Sequence, residues 1–249
     1  MKNNHLSAFT FIATGVFAIG TLFAATGCTP PDPPPPRPVK AKATANAPTA
    51  AIEETPQSRN AKRRDGLQGG TLVFEDKFER DEPGADWVVK FAGEWTIESG
   101  QLLSHKVQND DDRNQGVWLN KTLPSKVRVT FQSRSLSGVG DTKCEIFNEQ
   151  PKHETGYSVI FGGWNNTINT IARKGEHEQQ RAVQGEHVKV KVNQTYTWTI
   201  VRNDNVVRWY IDGHFMVAYD DANAVRGGFF GFNNWATDVR FDNLQIYEL

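Results

Sequence analysis

Residues 196–219 read YTWTIVRNDNVVRWYIDGHFMVAY, and the fold class follows from this stretch. Tyr196, Trp198 and Ile200 share one side of an extended chain while Thr197 and Thr199 share the other, the period-two pattern of a strand with one wet face. Asn203-Asp204-Asn205 then supplies residues that satisfy their own backbone in a turn, and VVRWYI resumes the run. Asp212-Gly213 follows. That pair takes up the positive φ angles of a type I′ turn and joins two antiparallel strands. Three strands linked by two hairpins make an antiparallel meander.

The same grammar extends outward. Lys126 to Arg134 (KVRVTFQSR) puts Val127, Val129 and Phe131 on one face, and His187 to Val192 (HVKVKV) repeats the alternation. Ser99-Gly100 separates EWTIE from QLLSH. No window of helical length carries an i, i+3, i+4, i+7 apolar pattern. Fifteen phenylalanines, seven tryptophans and 21 glycines against two methionines suit strands and tight turns. Roughly a dozen strands in one segment imply two packed sheets around a single core. The expectation is an all-β, two-sheet antiparallel sandwich over residues 70–249. A formal net charge of −1 lacks the basic footprint of a nucleic-acid binder, so no nucleic-acid partner is expected.

The first 27 residues read as an address. Lys2 precedes an apolar run from Ala8 to Ala25, and small residues lead to Cys28, the layout of a signal peptide. Thr10, Thr14, Gly15, Gly20 and Thr21 interrupt the run and make it a poor membrane helix. Ala25-Thr26-Gly27-Cys28 resembles the lipobox of bacterial lipoproteins, with alanine where leucine is commonest. The resemblance implies cleavage before Cys28 and acylation of its thiol, each buried CH₂ contributing roughly 0.8 kcal/mol to anchoring. Cleavage near Thr26 with release of a soluble protein is the rival reading.

Residues 28–69 form the expected stalk. The prolines from Pro30 to Pro38 favour polyproline II, rising about 3.1 Å per residue, and the Ala/Thr/Asn/Gln-rich remainder has no apolar periodicity and is expected to be disordered. The implied location is the bacterial cell envelope, at the outer membrane or facing the periplasm, with membrane contact through the lipid anchor only. Cys144, the one other cysteine, is expected to be a small buried apolar residue.

Two segments carry a family likeness. VVRWYIDGHFMVAYDD, followed by GGFFGFNNWATDVRFDNLQIYEL, resembles the end of concanavalin A-like lectin and glucanase domains. There a strand ends at an Asp-Gly hairpin and a late strand with a V-x-F-x-N-I/L-x-I pattern closes a jelly-roll sandwich. FEDKFERDEPGADWVVKFAGEWTIESGQLLS is similar to the start of the same superfamily, and the order of features most resembles the 3-keto-disaccharide hydrolase domain family. The likeness rests on packing and turn residues, so it implies fold before chemistry.

Candidate site residues fall in three places. In KCEIFNE (143–149), strand alternation would turn Cys144 and Ile146 inward and Glu145, Phe147 and Glu149 outward. Two glutamates on one strand resemble the E-x-D-x-E catalytic strand of laminarinase-type glycosidases, whose glutamates act as nucleophile and acid/base. Phe147 stands where that family has aspartate, and an outward phenylalanine suits stacking on a sugar ring. Solvated strand charges are the plainer alternative for Glu145 and Glu149.

The second place is a pair of similar texts, GGWNN (162–166) and GFNNW (231–235). Trp164, Asn165, Asn166, Asn233, Asn234 and Trp235 join aromatic faces to amides, which together bind the C–H patches and hydroxyls of sugars. Core tryptophans and turn asparagines are the alternative. The third is Asn109-Asp110-Asp111-Asp112, whose oxygens suit calcium but lack EF-hand spacing; a solvated turn is the alternative, and no other cofactor is expected.

The function expected from these features is a cell-envelope lipoprotein whose β-sandwich binds a glycan or oligosaccharide. The alternatives are a glycoside hydrolase acting on a glucan or 3-keto disaccharide through Glu145 and Glu149, and a structural envelope protein with a protein partner.

Overall fold

The computed structural model describes residues 64–90, 94–105, 116–235 and 237–249. In chain order the strands are β1 (Thr71–Asp76), β2 (Trp87–Val89), β3 (Trp95–Glu98), β4 (Gln101–Ser104), β5 (Val117–Leu119), β6 (Val127–Ser135), β7 (Thr142–Asn148) and β8 (Tyr157–Gly162). There follow β9 (Ile168–Arg173), β10 (Arg181–Gln184), β11 (Thr195–Asn203), β12 (Val206–Ile211), β13 (His214–Asp220), β14 (Phe229–Asn234) and β15 (Val239–Glu248). They form an eight-stranded sheet in the order β13-β12-β11-β6-β15-β4-β3, with β1 also on β15. The second sheet has seven strands in the order β10-β9-β8-β7-β14-β5-β2. Neighbours in these orders pair antiparallel, for example β11 with β6 and β7 with β14.

The alternation seen in the sequence sets the inner faces. Val127, Val129 and Phe131 on β6, with Tyr196, Trp198 and Ile200 on β11, lie in one buried cluster with Cys144 and Ile146 on β7 and Phe230 and Phe232 on β14. Aromatic rings bridge the two sheets: Phe131 meets Phe232 edge to face at 5.0 Å, and Phe232 stacks on Phe241 at 4.2 Å. Each such pair adds about 0.5–1.5 kcal/mol beyond its buried area. Cys144 is free and buried, as a small apolar core residue would be.

The sandwich begins slightly before Thr71. Asp65 accepts from Asn203 and the Gly66 carbonyl accepts from Arg128, so residues 65–66 already lie on the eight-stranded sheet.

Residues 187–192 differ from the strand expected there. No strand forms; Val190 is buried while Val188 and Val192 are exposed. The reason is local: side-chain amides occupy the backbone groups a neighbouring strand would need. Asn169 donates to the Glu186 and Val188 carbonyls, and Asn166 both donates to the Val190 carbonyl and accepts from its N–H. Cys28, the signal peptide, nearly all of the stalk and Asp110, Asp111 and Asp112 lie outside the described residues.

Candidate functional site

β7 is the middle strand of the seven-stranded sheet, and its outer face carries charge at every second position. Asp141, Lys143 and Glu145 point away from the core formed by Cys144 and Ile146, yet all three are buried. Loops from several strand ends cover them and leave a cleft of ≈ 440 Å³. Its walls include His153 and Glu154 from the β7–β8 loop, Trp164 and Asn165 after β8, Glu176 and His177 after β9, and Trp235 after β14.

The turn bearing Trp164 is unusual in its backbone. Gly162, Trp164, Asn165 and Asn166 all have positive φ, between 50° and 71°, a left-handed region that costs about 1–2 kcal/mol for each non-glycine residue. Asn166 holds the turn through its bonds to Val190 and a third to the Gly138 carbonyl. The Gly162 carbonyl accepts from the Asp141 N–H at 2.8 Å, and a Cβ on Gly140 would come within 2.5 Å of that oxygen. Glycine at 140 therefore lets the Trp164 turn sit beside Asp141.

The floor is one connected charge cluster. Lys143 Nζ donates to both oxygens of Glu176 at 2.9 and 3.2 Å and lies 3.7 Å from Asp141 Oδ1. Glu145, with no exposed surface, accepts a bifurcated bond from the Ser158 hydroxyl, one bond from Asn148 and a 2.6 Å bond from His153 Nδ1–H. Asn233 adds a longer contact to the same carboxylate at 3.5 Å. Asn148 also donates to the Lys152 carbonyl, which ties the His153 loop to the strand.

These neighbours shift the titrations in opposite directions. Burial raises the Asp141 carboxyl to about 6 even though Lys143 opposes the shift. Burial would also raise Glu176, but the Lys143 and His153 charges outweigh it and hold Glu176 below its ordinary value. Burial would lower His153; the charge and hydrogen bond of Glu145 prevail, so the imidazolium is favoured. Burial would lower Lys143 as well, and Asp141 and Glu176 reverse it. Three buried polar atoms of these side chains make no hydrogen bond: Asp141 Oδ2, Asn148 Oδ1 and His153 Nε2.

The residues singled out from sequence divide clearly. Trp164, Asn165 and Trp235 line the cleft, with Trp235 37% exposed and the Arg181 guanidinium stacked 3.7 Å from the Trp164 ring centre. Asn233 lies behind the wall on Glu145, whereas Asn166 and Asn234 bond to backbone carbonyls and shape their own loops.

Phe147 does not face outward. It is buried in the core beneath the Arg202 guanidinium, 4.0 Å from the ring centre. The cause is a β-bulge: Ile146 pairs with Phe230 and Asn148 with Phe229, leaving Phe147 as the extra residue at φ 57°. The same bulge ends the alternation that would have aligned Glu145 with Glu149. Glu145 is fully buried, and Glu149 lies beyond the strand, 53% exposed and paired with Lys174 at 2.8 Å. The two do not form a facing pair.

Sequence reasoning missed Asp141, Lys143, His153, Glu154, Glu176 and His177. The available signal was Asp-x-Lys-x-Glu at period two (141–145), opposite Cys144 and Ile146; nothing local brings Glu176 to Lys143. Among the described residues no group of three or more His, Cys, Asp or Glu side chains is arranged to hold a metal ion.

Comparison with known proteins agrees on the fold. The model of a domain of unknown function, DUF6250, matches residues 147–244. The β-glucanase of Bacillus licheniformis superposes with a TM-score of 0.54 at 13% identity, over 73% of this chain and 100% of that one. SCLam, a non-specific endo-β-1,3(4)-glucanase of family GH16, gives 0.54 at 12% identity over 72% and 91%. Carbohydrate-binding module CBM66 from Bacillus subtilis gives 0.52 at 15% identity over 66% and 96%. No curated protein sequence matches the chain. The described region is thus a jelly-roll sandwich of the concanavalin-like type.

Proposed function

We propose that this chain is a glycan-binding protein of the bacterial cell envelope, anchored through acylated Cys28 and held off the membrane by a stalk that ends before Asp65. The observation that carries the binding reading is the meeting of Trp164, Asn165 and Trp235, from two segments about 70 residues apart by their sequence numbers, around one cleft. Packing alone gives no reason for a turn of three consecutive left-handed non-glycine residues that displays Trp164 at a cavity wall, and backbone strain of this kind gathers where ligands are held. Solved structures of this fold include a carbohydrate-binding module and glucanases, which supports a sugar as ligand.

The test is a polysaccharide and oligosaccharide array probed with the full chain, with 3-keto disaccharides included because the order of sequence features resembles that hydrolase family. Trp164→Ala and Trp235→Ala should each weaken binding by about tenfold or more, a loss of roughly 1.4 kcal/mol, without lowering the melting temperature. If no glycan is retained and both variants melt early, the tryptophans serve packing and the reading fails. The buried acid–base floor favours a second reading, cleavage of the bound glycan by residues other than Glu145 and Glu149 as a pair.

A further inference from the structure

Charge sets the cleft apart from a plain sugar groove. Four carboxylates gather at or under it: Asp141, Glu154 and Glu176 on its lining and Glu145 sealed beneath. Three cations stand against them. Lys143 lies between Asp141 and Glu176, and the His153 imidazolium is held on Glu145. The Arg181 guanidinium covers the Trp164 ring and gives its Nε–H to the Glu176 carbonyl. Counting the exposed His177 as neutral, one negative charge is left over with His153 protonated and two with it neutral.

The surplus shows at two carboxylates. Asp141 lines the cleft with its side chain 8% exposed, and its Oδ2 makes no hydrogen bond. Glu154 is the one carboxylate of the four with a broad accessible surface, 39% exposed. Its Oε1 accepts from the Glu176 N–H at 3.1 Å, which fixes the side chain on the wall, and its Oε2 accepts no hydrogen bond among the described residues. No three of the described His and carboxylate groups are arranged for a metal ion, so the surplus suits an organic cation. Such a cation rests against a carboxylate and an aromatic face together. Trp164 already makes that pairing with Arg181 at 3.7 Å, and Trp235, 37% exposed, brings a second indole to the same cleft. A sugar that carries a cation of this kind is an amino sugar whose nitrogen is not acetylated.

We propose that the ligand is a glycan bearing free amino groups, and that the exposed Glu154 carboxylate takes the sugar ammonium in the cleft that Trp164 and Trp235 line; this inference rests on the glycan-binding reading above. The ammonium donates to Glu154, the C–H faces of the sugar lie on indole, and the exposed Asn165 amide is left for a hydroxyl. Asp141, Glu145 and Glu176 do not touch the ligand. Their buried charge acts at longer range, where protein screens less than water does, and it favours a cation. The same charge disfavours glycans that carry carboxylates or sulfates.

The experiment prints a matched series on the glycan array: β-1,4-linked glucosamine oligomers, their N-acetylated counterparts and β-1,4-linked glucose oligomers. Every amine-bearing glycan that the full chain retains is also measured after treatment with acetic anhydride, which removes the ammonium charge and keeps the sugar. Retained glycans should include free amines, and N-acetylation should weaken them by about fivefold, as a partly exposed ion pair allows. Added salt should weaken the amine form more than the acetylated one. Glu154→Gln keeps the size of the side chain and removes its charge. It should weaken the amine form by about fivefold, leave the acetylated form within about twofold, and leave the melting temperature unchanged. A role in shaping the wall would weaken both forms alike. If the chain retains only neutral or acidic glycans, or N-acetylation leaves Kd unchanged, or Glu154→Gln acts equally on both forms, the inference is overturned and the binding reading stands. An array that retains no glycan removes both together, and a lysine-rich peptide held there in their place would assign the cleft to a protein ammonium.

Discussion

Asp76 and Asp141 are both buried aspartates at the ends of strands, and the protein treats them in opposite ways. Asp76 receives the Arg80 guanidinium through two bonds of 2.6 and 2.7 Å, the Trp87 indole N–H at 2.8 Å and the Phe78 backbone N–H at 2.8 Å. Asp141 has one oxygen 3.7 Å from Lys143 and the other without a hydrogen bond. Burial raises both carboxyls, yet at Asp76 the hydrogen bonds prevail and the net shift is downward, whereas Asp141 is left at about 6. A corner that serves stability satisfies its charge completely. The cleft floor holds charge that its own fold does not fully satisfy, and that is a mark of a site built for a ligand.

The largest expected effect comes from breaking the floor itself. Lys143→Met leaves Asp141 and Glu176 buried without their shared ammonium, and removing one partner of a buried ion cluster typically costs about 3–5 kcal/mol. Urea denaturation at neutral pH checks this. A loss below about 1 kcal/mol would mean that water reaches the cluster and that the floor is no more strained than the Asp76 corner.

A smaller effect sharpens the contrast through pH. For Asp141 the folded value lies above the ordinary 3.8, so the native state binds more protons than the unfolded state between the two values. Stability from this group is therefore present below about pH 4 and falls as pH rises to about 6, by roughly 3 kcal/mol. Asp76, Glu176 and Asp221, held low by their partners, have the opposite sign: their contributions are present above the ordinary carboxylate range and are lost as pH falls. Asp141→Asn should flatten the decline between pH 4 and 6, and Asp76→Asn should weaken the fold above pH 4 and reduce its acid sensitivity. Melting temperatures at about pH 4.5 and 6.5 separate the two, and an unchanged slope in Asp141→Asn would contradict the account.

The sandwich was legible in the sequence because inner faces follow period two over β6 and β11, and because Asp212-Gly213 marks the hairpin to β13. The segment at 187–192 shows the limit of that signal. Its alternation is as clean as that of β6, but Asn166 and Asn169 take its backbone partners, and no periodicity reports the amides of a distant loop. The site was legible only in part. Paired aromatics and amides drew attention to Trp164, Asn165 and Trp235, whereas the acid–base cluster depends on register. One inserted residue at Phe147 turns that ring inward, and a cluster joined across 33 residues, as between Lys143 and Glu176, leaves no local pattern.

Glu149 offers the smallest expected effect and the sharpest test of where the site ends. It lies four residues from Glu145 and matches it in chemistry, so strand logic would make the two partners. The bulge at Phe147 separates them: one is sealed under the cleft, and the other is paired with Lys174, both side chains well exposed. An exposed ion pair contributes about 0–1 kcal/mol and is screened by salt. Glu149→Ala should therefore change stability by less than about 1 kcal/mol, and leave glycan affinity and any cleavage rate at the parent level. The parallel Glu145→Gln variant should instead lower stability by about 1–3 kcal/mol, because the buried carboxylate satisfies His153, Ser158 and Asn148. Equal losses of activity in both variants would restore the two glutamates as a functional pair and would require the bulge to straighten when ligand binds.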